Sequence, residues 1–123
     1  MPDESEQPPR ERDAPVPVLV LVRDLIFSSR ITATARAAGT PVKLARSPAG
    51  LTAAEGRLLI VDLNEPGAIE AAAGWKRQWS GEVVGFVSHV DVETIARARA
   101  AGIDRVMARS QFVNVLAELL RPT

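Results

Sequence analysis

The sequence predicts one α/β domain: a single five-stranded parallel sheet with helices on both faces and a short or irregular second helix. Three observations carry this reading. Val16 to Val22 (VPVLVLV) is a continuous apolar run, and Leu58 to Leu63 (LLIVDL) is apolar but for Asp62, as in strands buried on both faces. Apolar runs alternate with segments of helical spacing, which points to parallel strands joined by right-handed crossovers. The 123 residues make one domain's length, and 46% of them are apolar, enough for a core without disulfides.

Residues 1–15 (MPDESEQPPRERDAP) hold five acids, two arginines and four prolines. Such a segment buries too little to offset its ordering entropy, so a disordered tail is expected there and a domain over 16–121. After the first strand, Phe27, Ile31, Ala35 and Ala38 fall on one helical stripe, and Gly39 stands where a C-terminal cap glycine belongs. Pro41 to Ala45 reads as a short second strand. Only Ser47 to Gly56 then remains before the third strand, too little for an ordinary crossover helix. Pro66 is expected to open the next helix, which carries Ile69, Ala72, Ala73 and Trp75, with Gly81 ending it. Glu82 to Val87 is the fourth strand. Asp91 caps a helix through Ala101 that Gly102 stops, and Arg105 to Ala108 is the fifth strand. Ser110 is read as the cap of a last helix whose Phe112, Val115, Leu116 and Leu119 face inward.

Several classes of function are set aside. With no cysteine there is neither a thiolate metal site nor a cysteine nucleophile, and the single His89 gives no zinc spacing. Net charge is zero, against the basic excess of a nucleic-acid binder, so no nucleic-acid partner is expected. No apolar run reaches the length of a membrane span, and residues 1–17 lack the apolar region of a signal peptide. A cytoplasmic protein without membrane contact is therefore expected. The segment after strand one (RDLIFSS) has neither a dinucleotide-binding nor a phosphate-loop glycine pattern, and no serine sits in a nucleophile elbow. Five strands leave two orders open, a flavodoxin-like 2-1-3-4-5 and a small Rossmann-like one.

In an open parallel sheet the functional crevice lies at the carboxyl ends of the strands. The polar residues there are Arg23 and Asp24 after strand one, Asp62 and Asn64 at strand three, Ser88 and His89 after strand four, and Arg109 and Ser110 after strand five. Bland roles exist for each: Asp24 can cap the first helix, and Asp62 can bond the loop that follows it.

In their order and spacing these residues resemble the receiver domain of bacterial response regulators, over Val16 to Leu120. LIVDLNEP supplies Asp62 and Pro66 in the D-x-x-x-P spacing of the family's phosphoacceptor aspartate. Ser88 matches the hydroxyl at the end of strand four, and Ala101-Gly102 matches the pair before strand five. Two positions depart. Arg23 stands where the first acid of a Mg²⁺-binding pair belongs, leaving Asp24 and Asp62 as weak or absent metal ligands. Arg109 stands where the family has lysine.

The resemblance implies the order 2-1-3-4-5 and a phosphorelay role without enzymatic turnover. An arginine in an acid position repels Mg²⁺ and cannot lose its proton. Arg23 or Arg109 is instead expected to pair with Asp62 or Asp24. The reading is thus a stand-alone pseudo-receiver with no cofactor, signalling through protein contacts without Mg²⁺-dependent phosphorylation. The first alternative is a working receiver that binds Mg²⁺, with Asp62 as phosphoacceptor. The second is a small-anion or ligand sensor. The partner implied is a histidine kinase or a downstream effector, and a homodimer through the face of helix 4, strand 5 and helix 5 is a further option.

Overall fold

The structure, a computed structural model, describes residues 16–51, 53–88 and 91–122. The expected tail over 1–15 and His89 lie outside the described residues. Within them the chain runs β1 (Val18–Leu21), α1 (Leu25–Ala38), β2 (Val42–Leu44), a 3₁₀ turn (Pro48–Leu51), β3 (Leu58–Asp62), α2 (Ala68–Trp79), β4 (Glu82–Val87), α3 (Val92–Ala100), β5 (Arg105–Ala108) and α4 (Arg109–Leu119). All strand pairs are parallel, and the order is β2-β1-β3-β4-β5. Among the described residues the short second crossover holds one 3₁₀ turn, in which Leu51 is buried.

The register explains how the apolar runs are used. Successive side chains of a strand point to opposite faces. Leu19, Leu21, Leu59, Val61, Val83 and Val87 face one side, where α2, α3 and Leu51 cover them. Val18, Val20, Leu58, Ile60, Val84 and Phe86 face the other, under α1 and α4. Trp75 is fully buried in the first layer and donates its indole N–H to the Ala54 carbonyl at 2.7 Å. In the second layer, Thr40 donates its hydroxyl to the Leu120 carbonyl and ties the end of α1 to the end of α4.

Three expected boundaries move. Pro66 does not open α2. The helix starts at Ala68, because Gly67 takes a left-handed φ of 80° in front of it. Gly81 does not end α2 either: Ser80 takes the left-handed cap position at φ 60°, its N–H on the Lys76 carbonyl. Gly81 serves packing instead, since a Cβ there would collide with the Trp75 ring. Ser110 is not the cap of the last helix. α4 begins at Arg109 directly from β5, with Ala108 at the cap and no side-chain bond to the free N–H groups. Gly39 and Asp91 cap as read, Gly39 at φ 74° and Asp91 accepting from the N–H groups of Glu93 and Thr94. Among the described residues no helix is long and apolar enough to cross a membrane.

Gly85 sits in the middle of β4, paired with Val61 on one side and Val106 on the other. A Cβ there would lie 2.7 Å from Cγ of the buried Leu63. Gly85→Ala is therefore expected to lower stability by about 1–3 kcal/mol through overpacking, read as a lower urea midpoint at unchanged slope. Amide shifts should centre on Leu63 and its neighbours Asp62 and Asn64.

Candidate functional site

The carboxyl ends of β1, β3, β4 and β5 lie side by side, because these strands are neighbours in register. Parallel pairing thereby gathers Arg23, Asp24, Asp62, Asn64, Ser88 and Arg109 at one end of the sheet.

Asp24 follows β1 and is the N-cap of α1. One carboxylate oxygen, Oδ1, accepts from the N–H groups of Ile26 (3.0 Å) and Phe27 (3.1 Å). The other, Oδ2, accepts from Nη2 of Arg109 at 3.3 Å. The Phe27 N–H is the largest influence on the carboxyl pKa and holds it below the ordinary aspartate value. Desolvation opposes this, and the Arg109 hydrogen bond and charge add to the lowering.

Arg109 is the first residue of α4. A cation there faces the positive end of the helix dipole. Two contacts offset this: the Asp24 carboxylate and the face of the Phe27 ring, whose centroid lies 3.9 Å from the guanidinium carbon. Arg109 thus bridges a polar cap and an aromatic core.

Arg23 turns elsewhere. Its Nη1 donates to Oε1 of Glu65 at 3.0 Å, joining the end of β1 to the loop after β3. The arginine side chain is 69% exposed and the glutamate 15%. At that exposure the pair is worth at most about 1 kcal/mol.

Asp62 ends β3 half-buried, and its Oδ1 accepts from the Asn64 N–H at 3.0 Å, an Asx turn. Asn64 Oδ1 in turn accepts from the Ser88 N–H at 2.6 Å. Leu63 N–H reaches the Phe86 carbonyl at 2.9 Å. The loops after β3 and β4 are therefore laced together by side chain and backbone. Beyond this loop a groove of about 260 Å³ opens between Glu65, Pro66, Asp91 and Arg97.

Of the pairings expected from sequence, Arg109 with Asp24 is present, through a nitrogen–oxygen contact of 3.3 Å. The partner of Arg23 is Glu65, 42 residues away and not singled out in advance. Phe27 as the platform under Arg109 was also not singled out; an aromatic three residues after Asp24 was the only signal. The capping role of Asp24 and the loop bond of Asp62 are both realised.

No family model matches the sequence, and no curated protein matches it. Solved structures do match the fold. A CheY-like response regulator receiver domain protein from Methanospirillum hungatei superposes with a TM-score of 0.72 at 14% identity, over 87% of this chain and 94% of that one. Chemotaxis protein CheY4 of Vibrio cholerae gives 0.70 at 17% identity, over 85% and 98%. A response regulator from Burkholderia pseudomallei, solved with a phosphorylated aspartic acid, a calcium ion and citrate, gives 0.68 at 14%, over 85% and 70%. The architecture is the receiver fold, a five-stranded flavodoxin-like sheet.

The lowered pKa of Asp24 sets a pH dependence. Its folded value lies below its unfolded one, so its contribution to stability is complete above the ordinary carboxylate value and is lost as pH falls through the lowered one. Arg109→Met should raise the Asp24 pKa only part of the way back, because the backbone N–H bonds remain. A carbon-detected NMR titration of the Asp24 carboxyl checks this; an unchanged pKa would show that Arg109 exerts no pull.

Proposed function

We propose that residues 16–121 form an atypical receiver domain that signals through protein contacts, without turnover and without Mg²⁺-dependent phosphorylation. The observation that carries this reading is the commitment of Asp24. Both of its oxygens already hold donors, two backbone N–H groups on one and Arg109 on the other. Mg²⁺ asks for several hard oxygen ligands in near-octahedral geometry. Among the described residues no three acids or histidines are grouped to hold a metal ion. That donor set does not fit Mg²⁺.

Contact surface is available around the same crevice. Leu25 and Ile26 in the first turn of α1 are 79% and 86% exposed, and Val92 at the start of α3 is 77% exposed. Apolar side chains so placed, beside Arg23 and Arg109, suit a protein partner with apolar and acidic groups. A histidine kinase or a downstream effector is the partner class that accompanies the fold, and the α3–β5–α4 face is a second surface, for self-association.

A working receiver is the second reading. It is favoured by Asp62, which ends β3 at the position of a phosphoacceptor, and by the phosphorylated aspartic acid of the similar Burkholderia pseudomallei protein. Arg109 would then leave Asp24 and serve as the phosphoryl group's counter-cation, a task guanidinium performs well. A small-anion sensor using Arg23 and Arg109 is the third reading, and it needs both ion pairs to open.

An amide NMR titration with Mg²⁺, followed by beryllofluoride, separates these. The expected spectrum is unchanged at Asp24, Asp62, Ser88 and Arg109. Shifts centred on those four would overturn the proposal in favour of a phosphoacceptor. The double variant Arg23→Asp/Arg109→Lys should bind Mg²⁺ about tenfold or more tighter than wild type, a difference of at least about 1.4 kcal/mol. Equal affinities would show that the arginines do not block the site.

A further inference from the structure

A second cleft, of about 360 Å³, lies at the opposite end of the sheet, under the amino ends of β3, β4 and β5. Leu58, Val115 and Leu119 give it an apolar wall. Three guanidinium groups, from Arg57, Arg105 and Arg121, stand around that wall. Glu82 is occupied by Arg105 at 3.3 Å, and Glu118 is the other acid of the lining. Arg57 donates to the Arg121 carbonyl, and Arg121 has no ion-pair partner among the described residues. Cations beside an apolar wall, with arginine in excess of acid, fit a short acidic segment that also carries prolines.

The chain supplies such a segment at this spot. β1 begins beside Leu58, and the Arg57 N–H bonds the Pro17 carbonyl at 3.1 Å. The described residues therefore begin, at Val16, beside residues that line the cleft. Residues 1–15 carry five acids against two arginines, while the rest of the chain carries 13 basic against ten acidic side chains. The neutral total hides two parts of opposite sign. Glu11 and Asp13 stand five and three residues before Val16. Three to five residues reach about 10–18 Å when extended, and Arg121 is bonded to Arg57, which is itself bonded to Pro17. A tethered segment also meets its site at an effective concentration on the order of millimolar.

We propose that residues 1–15 dock in this cleft, Glu11 and Asp13 pairing with Arg57 and Arg121 and the neighbouring Ala14 and Pro15 lying on the apolar wall. This stands apart from the reading of the carboxyl-end site.

The test uses the full chain. It has no cysteine, so Ser5→Cys accepts a single nitroxide label. Relaxation enhancement is read at the amides of Arg105, Val115 and Arg121, and compared with the same labelled chain carrying Glu11→Lys and Asp13→Lys. Both chains have the same tether, and residues 16–122 are identical in the two. The expected result is enhancement at the cleft that falls by about half or more on charge reversal, and likewise in molar salt, since exposed ion pairs are screened. Enhancement unchanged by charge reversal and by salt, or centred on another face, overturns the proposal.

Discussion

Arg109 lies 3.9 Å over the ring of Phe27 and 3.3 Å from the carboxylate of Asp24. Phe27 in turn meets Phe86 edge-on at 5.1 Å, and Phe86 stacks on Phe112 at 4.9 Å. These three rings are all the phenylalanines of the chain, and they join α1, β4 and α4 in one contact. Ring pairs of this geometry add about 0.5–1.5 kcal/mol each beyond the area they bury. The cluster fixes where α1 and α4 sit on the sheet, and hence where the first residue of α4 can place its guanidinium. The electrostatics of the crevice are in this sense an extension of core packing.

The same end of the sheet shows two uses of charge. Arg109 and Asp24 are locked to the core and to a helix cap. Arg23 and Glu65 form a surface strap between two loops. Elsewhere Asp104 accepts from the Lys76 ammonium at 2.8 Å and from the Val83 N–H at 2.7 Å. Burial would raise its pKa, but the Lys76 ammonium and the Val83 N–H together hold it below the ordinary value. An ion pair and a backbone hydrogen bond account for that lowering, so a perturbed carboxylate is not by itself a mark of function. What singles out the carboxyl-end cluster is position: four strand ends that only a parallel sheet brings together.

Much of the fold was readable because its signals are local. The stripe Phe27, Ile31 and Ala35, the glycine after α1 and the aspartate before α3 each act within a few residues, and each acts as read. The scarcity of residues between β2 and β3 announced a crossover with no full helix. The misplaced boundaries have tertiary causes. Gly81 is needed for the Trp75 ring rather than for a turn, and Ser80 accepts the left-handed conformation in its place. α4 starts without a capping side chain because β5 feeds it directly and the Asp24–Arg109 contact holds its first residue.

The sequence by itself determined the alternation of strands and helices, the faces they bury and the set of polar residues at the strand ends. Those follow from periodicity and from residue types acting over one or two turns. Only the tertiary structure decided the partners. Arg23 is 42 residues from Glu65, and Arg109 is 85 from Asp24. At such separations sequence spacing carries no distance; it is sheet order and register that make one pairing of cation and carboxylate reachable and another not.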